Sequence, residues 1–338
     1  MKAYSLGAQK GIESLQCREL DAPQCKDDEA VIKFHAHSLN YRDYMILNQW
    51  YGDVKPELRI PLSDGAGEII EIGKNVKNLQ IGDRVCVNFF SSWLDGAIHP
   101  KYFSSDLGGS TNGTLAEYGA YPANAMVKIP TSLSFSEGAC LPCAGVTAWN
   151  TIVEAGQVTK DSNVLLLGTG GVSVFGVQIA KAMGATTIIT SSSDKKLDEL
   201  SALGVDHCIN YKDNENWASK VLEVTNNIGA NIAIETGGPK SMAQTFEAMS
   251  FNGLIGLIGF LSGNAMEPLD MMPLIGKNIN LRGIAVGSTD MLQKLVSFME
   301  KKSIKPYISK EFQFDEVKEA FYYMESQSHI GKIVINHK

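Results

Sequence analysis

The second half of the chain alternates apolar and amphipathic segments, and this alternation restricts the possible folds more than any other feature. From Asn163 onward the apolar segments NVLLLGT, TTIITSS and HCIN are separated by VSVFGVQIAKAMGA and DKKLDELSALGV. NIAIET, a helix beginning near Pro239, GLIGLIGF and NLRGIAVG follow. Strands joined by helices form right-handed βαβ units around a parallel sheet. Six such strands predict an α/β doubly wound sheet, the Rossmann architecture, over residues 126–287.

The first half of the chain has a different pattern, with short strands and many turns. The segments EAVIKFHAHS, AGEIIEIG and RVCVNF are separated by Gly, Asn, Asp and Pro. After Gly287 come a helical stretch at about 289–302, the amphipathic DEVKEAFYYMESQ and the apolar strand GKIVIN. We interpret these last elements as a continuation of the first half. Residues 1–125 and 288–338 are therefore expected to form one discontinuous, β-rich domain.

Length and charge exclude several classes of protein. A chain of 338 residues, 44% of them hydrophobic, is long enough for two domains with cores. The net charge is −7 and the lysine pairs are scattered, which argues against nucleic-acid and membrane partners. Without an apolar run of about 20 residues or a signal pattern, a cytoplasmic protein is expected. The six cysteines are too few for a disulfide scaffold and are expected to be reduced.

The segment LLLGTGGVSVFG places a glycine-rich turn between the first predicted strand of this sheet and the following helix. Gly168 permits the tight turn, and Gly170 lets the backbone approach a pyrophosphate at the helix N-terminus. The third position of this fingerprint is Ser173, which is still small. We therefore predict that a dinucleotide binds at a turn formed by Gly168, Thr169, Gly170, Gly171 and Val172.

The end of the second strand indicates which dinucleotide binds. An NAD site places a carboxylate there for the ribose hydroxyls, about 20 residues after the first glycine. This chain has Ser192 at that position and Lys196 just beyond it. A hydroxyl and a cation suit a 2′-phosphate, which a carboxylate would repel. We expect Asp194 to be the N-cap of the next helix, and we predict NADP (NADPH) rather than NAD.

Several motifs in one order resemble the medium-chain dehydrogenase/reductase superfamily over essentially the whole chain, and most closely its zinc-independent, quinone-oxidoreductase-like branch. They are NYRDYM (40–45), SDGAGEIIEIG (63–73), IGDRV (81–85), LPCAGVTAWNTI (141–152), GTGGVSVFGVQIAKAMGA (168–185) and INY (209–211). The resemblance implies a GroES-like catalytic domain around the cofactor domain. It also implies that Tyr211 joins Ser192 and Lys196 at the adenosine phosphate, and that residues 280–287 pair in a homodimer or homotetramer.

The resemblance also bears on zinc. In the zinc alcohol dehydrogenases the catalytic metal is held by a Cys and a His from the first half and by a Cys in a segment similar to LPCAGVTAW. The matching positions are Asn40, Ser63 and Cys143, with Asp64 at the neighbouring acidic position. A catalytic zinc usually needs three protein ligands. The loop 91–113 contains no cysteine for a structural zinc. We therefore expect no metal, and a packed Cys143 that lines the cleft between the domains.

Without zinc, hydrogen-bond donors must stabilise the charge that develops on the acceptor. The segment LNYRDYM supplies candidate catalytic residues: Asn40 and Tyr41 as donors, and Asp43 to hold either in place. The alternative is that the tyrosines pack and Asp43 is a local cap. Four aromatic residues could be either walls for a bulky substrate or core: Trp50, Tyr51, Phe89 and Trp93. No histidine lies in a constellation that favours nucleophilic catalysis.

These features together favour an NADPH-dependent, zinc-free oxidoreductase with a small-molecule substrate. It would transfer hydride to a carbonyl or an activated C=C of a quinone, enone or aldehyde. One alternative is a zinc-type alcohol dehydrogenase, against which Asn40 and Ser63 argue. An alternative of another class is a non-catalytic NADP-binding protein, since the glycine-rich turn serves a binder equally well.

Overall fold

The computed structural model describes residues 1–52, 56–263 and 269–337, in which strands and helices alternate along the chain. The strands are β1 (Lys2–Ser5), β2 (Gln16–Glu19), β3 (Glu29–Ser38), β4 (Asp64–Ile72), β5 (Arg84–Val87), β6 (Tyr118–Pro122), β7 (Met126–Lys128), β8 (Asn163–Leu167), β9 (Thr186–Ser191), β10 (His207–Asn210), β11 (Ala230–Glu235), β12 (Met249–Leu257), β13 (Asn280–Gly283), β14 (Ile308–Gln313) and β15 (Lys332–Asn336). The α-helices are α1 (Tyr41–Leu47), α2 (Phe135–Ala139), α3 (Val146–Trp149), α4 (Gly171–Ala182), α5 (Asp194–Ala202), α6 (Trp217–Val224), α7 (Pro239–Ala248), α8 (Met272–Gly276), α9 (Thr289–Lys302) and α10 (Val317–Glu325).

The chain forms two compact units, Met1–Val146 with Val286–Lys338 and Thr147–Ala285. The first unit is therefore discontinuous, and its second boundary lies two residues from the expected one. Its first boundary lies at 146/147, later than the expected 125/126. The reason is that β7 pairs with β5 as a strand of the first sheet, and α2 packs on β3 of the same sheet.

The first unit is built around a mainly antiparallel sheet. Its strand order is β14-β15-β3-β4-β5-β7, β6 also pairs with β3, and β1 and β2 form a separate ribbon. The alternation in EAVIKFHAHS corresponds to β3, whose buried residues include Ile32 and Phe34. Pairing of β15 with β3 brings the end of the chain beside the end of β3, with Val334 opposite Ser38. Elements almost 300 residues apart therefore meet at this point.

The second unit contains the predicted doubly wound sheet. Its six strands are all parallel and follow the order β10-β9-β8-β11-β12-β13. Counted within the unit this is 3-2-1-4-5-6, the order of dinucleotide-binding folds. The strands bury β-branched and leucine side chains such as Leu165, Ile188 and Ile255 against Phe246 of α7. The α/β prediction is confirmed.

Two helical segments near the predicted site were not expected. The sequence analysis used NYRDYM as a motif, and the structure shows that α1 begins within it at Tyr41. The apolar segment LPCAGVTAW lies in a helical run, with π-helical turns at Leu141–Gly145 and Asn150–Ala155 on either side of α3. Within the described residues, no helix is both long and apolar enough to cross a membrane.

Candidate functional site

A buried polar cluster in the first unit joins the residue before α1 to the last strand. Lys332 on β15 is 2% exposed, and its Nζ donates to Asn40 Oδ1 at 2.6 Å and to the Leu39 carbonyl at 2.7 Å. Asn40 Nδ2 donates to Ser63 Oγ at 3.4 Å, and Ser63 Oγ donates to Asp64 Oδ1 at 2.8 Å. The ammonium also lies 3.9 Å from Asp64 Oδ2. We call Asn40, Ser63, Asp64 and Lys332 the amide network.

The sheet explains why these four residues meet. β3 ends at Ser38 and pairs there with Asp64, the first residue of β4. Asn40 and Ser63 therefore lie at the same end of this antiparallel pair. On the other side of β3, the Leu39 N–H donates to the Ile333 carbonyl at 3.0 Å, which places Lys332 beside Asn40. Three strand ends thus build the amide network.

Asp43 is a buried cap for the start of α1. Its Oδ2 accepts the backbone N–H of Asn40 at 2.9 Å, which is how a carboxylate at the third helical position fixes a helix N-terminus. Burial raises the pKa of the Asp43 carboxyl to about 7, although the nearby Arg42 guanidinium acts in the opposite direction. Arg42 also forms an ion pair with Asp106 at 2.7 Å, which attaches the loop 91–113 to α1. Asp43 therefore holds Asn40 through its backbone.

Tyr41 is the first residue of α1, directly after Asn40. Its ring is half-buried against a core cluster and lies 5.9 Å from the ring of Tyr44. Burial raises the pKa of its hydroxyl, which keeps the phenol protonated as a donor requires. None of the hydrogen bonds that join the described residues of the amide network involves Tyr41.

The four aromatic residues considered as pocket walls fall into two pairs. Phe89 and Trp93 are 1% and 2% exposed and belong to a small core, so they pack within the first unit. Trp50 is 59% exposed and Tyr51 is 37% exposed, and both lie in the segment after α1. The Trp50 ring packs edge-on against Tyr44 at 5.7 Å. Trp50 and Tyr51 are therefore the pair still available to contact a ligand.

Cys143 lies beside the amide network and packs against the small core of Phe89, Phe90 and Trp93. Its backbone N–H donates to Asp64 Oδ2 at 3.3 Å, and burial raises the pKa of its thiol. Only Cys143 and Asp64 in this group are of the types that usually bind zinc. Among the residues that the structure describes, no group of three or more His, Cys, Asp or Glu side chains could hold a metal ion. The donor set at this position therefore does not fit a catalytic zinc.

In the second unit, the glycine-rich turn connects β8 to α4. Gly168 has a φ of +73°, a conformation that favours glycine, and Thr169 is buried. Gly170 is the N-cap of α4 and supplies no side-chain cap to the N–H groups of the first turn, to which Gly171 and Val172 belong. A Cβ at Gly170 would meet no described atom within 4 Å. Since packing does not require this glycine, the turn leaves room for a pyrophosphate and fits a dinucleotide.

Close packing of α4 on the sheet depends on a glycine that the sequence analysis did not identify. A Cβ at Gly176 would lie 2.4 Å from Leu166 Cδ2 and 2.8 Å from Ile234 Cδ1. Ser173, at the third fingerprint position, is buried, and its hydroxyl donates a hydrogen bond to the Leu167 carbonyl at 2.7 Å. Gly176 thus provides the close helix–strand contact, and Ser173 fastens the turn. The sequence did carry a signal for this role, since Gly176 lies about one helical turn after Ser173 in VSVFG and so on the same face of the helix.

The residues predicted for the adenosine phosphate lie at the carboxyl ends of β9 and β10. These strands are parallel, with Asn210 opposite Ser191, and the Tyr211 N–H donates to the Ser191 carbonyl at 3.0 Å. Ser192 is half-buried and Tyr211 is 43% exposed, so both are accessible. The structure thus brings Ser192 and Tyr211 to one edge of the sheet.

Lys196 and Asp194 lie on α5, which starts at this same edge. The N-cap of α5 is Ser193, whose Oγ accepts the Lys196 N–H at 3.5 Å, so the expectation that Asp194 is the cap is wrong. Asp194 is the first helical residue, and its carboxylate accepts from Asn210 Nδ2 at 2.7 Å. Partial burial lowers the pKa of Lys196. The carboxylate of Asp194, which would repel a nearby 2′-phosphate, is therefore engaged with Asn210.

Each of the two units contains a region that matches a known protein family. Residues 26–131 match the alcohol dehydrogenase GroES-like domain family, and residues 171–301 match the zinc-binding dehydrogenase family. A zinc-type alcohol dehydrogenase-like protein of Schizosaccharomyces pombe is 42% identical, with 96% of each chain covered. The 2-methylene-furan-3-one reductase of Solanum lycopersicum is 31% identical, over 99% of this chain and 79% of its own. The crystal structure of a putative alcohol dehydrogenase from Sinorhizobium meliloti superposes with a TM-score of 0.92 at 35% identity, covering 99% of this chain and 98% of its own.

These matches define the class of protein. The chain belongs to the medium-chain dehydrogenase/reductase superfamily, whose members bind nicotinamide cofactors. It is an oxidoreductase of that family, with a GroES-like domain and a Rossmann domain.

Proposed function

We propose that this protein is an NADPH-dependent reductase that works without zinc and transfers hydride to a quinone, an enone or an aldehyde. The cofactor supplies the hydride, and the chain must bind it, orient the acceptor and stabilise the negative charge on the acceptor oxygen. The observation that carries this proposal is the amide network. By resemblance, Asn40 and Ser63 match the positions of two zinc ligands of the zinc alcohol dehydrogenases. Here both are neutral hydrogen-bonding groups, held by Lys332 and Asp64.

The proposed role of Asn40 is to donate its amide N–H to the acceptor oxygen, with Tyr41 as the second candidate donor. One or two hydrogen bonds suffice for a quinone or conjugated enone, because the charge that develops on these acceptors is delocalised. Oxidation of a saturated alcohol demands more, since its hydroxyl proton must leave and a metal normally lowers that pKa. The name of the tomato relative, a reductase of a methylene-furanone, supports an enone as acceptor.

The first test measures NADPH oxidation with a panel of para-quinones, ortho-quinones, enones and aromatic aldehydes, beside NADP reduction with ethanol. We expect turnover on at least one electrophile to exceed ethanol oxidation by about 100-fold or more. Metal analysis of protein purified without added metal is the companion measurement, and we expect less than one zinc per chain. Rapid ethanol oxidation together with stoichiometric zinc would favour a zinc-type alcohol dehydrogenase instead. Tight NADPH binding with no turnover on the whole panel would favour a non-catalytic binder.

NADPH is proposed as the cofactor because Ser192, directly after β9, provides a hydroxyl and Lys196, in the first turn of α5, provides a cation. Tyr211 lies on the same edge and offers a further hydroxyl. A 2′-phosphate gains from such donors, whereas the ribose hydroxyls of NAD gain from a carboxylate. Titration of both reduced cofactors, followed by fluorescence, tests this assignment directly.

We also propose that the protein is a homodimer or a dimer of dimers through β13. This strand is one of the two edges of the six-stranded sheet, and all four of its residues are exposed. Leu281 in this strand and Met272 and Ile275 in α8, the helix that precedes it, are exposed apolar side chains. An open apolar edge strand promotes pairing with a second copy. Light scattering at micromolar concentration should give twice or four times the mass of one chain, and a monomer would contradict the proposal.

A further inference from the structure

We propose that Lys332 is a positioning residue that fixes the side-chain amide of Asn40 so that its N–H group, and not its carbonyl oxygen, is available to the substrate. This inference rests on the proposed function, because it assigns the orientation of the proposed donor. Lys332 lies on β15, almost 300 residues after Asn40, and it was not among the residues predicted from the sequence.

The polarity of the amide network follows from its two ends. The Lys332 ammonium carries three hydrogens and no lone pair, so it can only donate. The atom of Asn40 that lies 2.6 Å from it must therefore be the amide oxygen. At the other end, the carboxylate of Asp64 accepts from Ser63 Oγ, and the lone pairs of that oxygen face the Asn40 amide nitrogen. A flipped amide would place its NH₂ group against the ammonium and its oxygen against the serine oxygen.

The orientation turns both hydrogens of the Asn40 amide away from Lys332. Nδ2 carries two hydrogens, and the bond to Ser63 Oγ, at 3.4 Å, uses one of them. The Asp64 carboxyl lies on the same side of the amide, and a side-chain hydrogen bond from Asn40 acts to lower its pKa, although burial raises that pKa more. The bond to Ser63 is long, so an acceptor oxygen can compete for that hydrogen. Asn40 is 8% exposed, so its NH₂ group is held in a largely dehydrated position, where a hydrogen bond to a developing charge is strengthened.

The charge of Lys332 gives the amide a second property. A cation bonded to the amide oxygen draws electron density from the nitrogen and makes its N–H a stronger donor, as hydrogen-bonded chains polarise one another. Asp64 lies at the opposite end and balances this charge, with its Oδ2 3.9 Å from Nζ. Lys332 does not need to contact the substrate for either effect.

The kinetic test compares Lys332→Met, Lys332→Arg and Asn40→Ala, with Lys33→Met as the matched control. Lys33 is an exposed lysine on β3 of the same sheet. We expect Lys332→Met to lower kcat by about 10-fold or more with the KM for NADPH unchanged, and Lys332→Arg to retain more of the activity. The double variant Lys332→Met/Asn40→Ala should be no slower than Asn40→Ala alone, because Lys332 acts through Asn40. Losses that multiply would overturn the proposal.

A second measurement does not depend on any substrate. In protein labelled with ¹⁵N-asparagine, the side-chain NH₂ signals of Asn40 are assigned by their disappearance in Asn40→Asp. We expect Lys332→Met to shift and broaden these signals, and Lys33→Met to leave them in place, with thermal unfolding confirming that each variant is folded. If Lys332→Met folds and the signals do not move, Lys332 does not position Asn40. If they move and no acceptor is reduced by the wild type, the positioning holds and the proposed function fails.

If Lys332→Met does not fold, Lys332→Arg decides the question by the same signals. An arginine cation that still donates to the amide oxygen should keep both Asn40 NH₂ signals sharp. We expect the change in their chemical shift to be larger when the loss of kcat in this variant is larger. A folded Lys332→Arg with reduced kcat and unmoved Asn40 signals would overturn the proposal.

Discussion

The glycine-rich turn of the second unit and the amide network of the first differ in how they are encoded. The turn lies in one short segment, in which β8, Gly168, Gly170 and the start of α4 follow one another. The amide network combines residues 40, 63, 64 and 332, which three strand ends bring together. A local site is visible as a motif, whereas a site made from distant strands is visible only when the strand pairing is known. The predictions below test each half of this comparison.

The largest effect should follow from removing the proposed donor of the amide network. Asn40→Ala is expected to lower turnover by about 100-fold, the value of one well-placed hydrogen bond in the transition state, or about 2.7 kcal/mol. Steady-state kinetics on the best acceptor measures this loss. Tyr41→Phe tests the alternative that the Tyr41 hydroxyl is the donor. If it costs about 10- to 100-fold while Asn40→Ala keeps full turnover, the donor is Tyr41.

Two glycines of the second unit should respond in opposite ways to the same substitution. Gly176→Ala should lower the free energy of unfolding by about 2 kcal/mol, because its Cβ would overlap Leu166 and Ile234. Gly170→Ala should leave the stability nearly unchanged, since its Cβ would meet no described atom within 4 Å, and should weaken cofactor binding by about tenfold or more. Denaturant unfolding and cofactor titration of both variants measure the difference. Equal loss of stability in the two variants would contradict the packing argument.

The Asp43 carboxyl should make stability depend on pH. Burial raises its pKa to about 7, so between about pH 4 and 7 the folded state holds a proton that the unfolded state has lost. The free energy of unfolding contributed by this group therefore falls as the pH rises through that window. Asp43→Asn cannot ionise and still accepts the Asn40 N–H, so its stability relative to wild type should increase by about 3 kcal/mol from pH 4 to pH 7. A constant difference across that range would show that Arg42 and Lys332 keep the carboxyl ionised.

The preference between NADPH and NADH tests the proposed 2′-phosphate site at the carboxyl ends of β9 and β10. NADPH should bind at least about tenfold more tightly than NADH, a difference of about 1.4 kcal/mol, within reach of one charge-assisted contact. Ser192→Asp should shift the preference toward NADH, whereas Ser201→Asp on the exposed side of α5 serves as the control for the added charge. Equal affinity of the wild type for both cofactors would reject the phosphate site.

The smallest effect is expected at Cys143. Its side chain packs within a small core and its contact with Asp64 uses the backbone N–H. Cys143→Ser should therefore change stability and cofactor affinity by less than about 1 kcal/mol. Loss of bound metal in this variant, measured beside wild type, would restore a role for the thiol as a ligand.

The sequence by itself determined the second unit almost completely. Six apolar segments, the helices between them and the glycine-rich turn are each local patterns, and the right-handed crossover rule converts their order into one sheet. It also indicated the residues of the two candidate sites that lie in motifs, Asn40 and Ser192 among them. The N-cap of α5 was misplaced by one residue, because Ser193 and Asp194 are both good capping residues and only the backbone conformation distinguishes them.

Tertiary structure decided what surrounds those residues. Lys332 lies in a short apolar strand, where its sequence context resembles that of any surface lysine, and only the pairing of β15 with β3 buries it beside Asn40. The first boundary between the units was displaced for the same reason, because β7 belongs to a sheet that includes the distant strand β15, close to the end of the sequence. Gly176 became necessary only when α4 packed on β8 and β11. Long-range strand pairing carries no local signal, since hydrogen bonds between strands depend on the backbone and side chains select a partner only through the packed core.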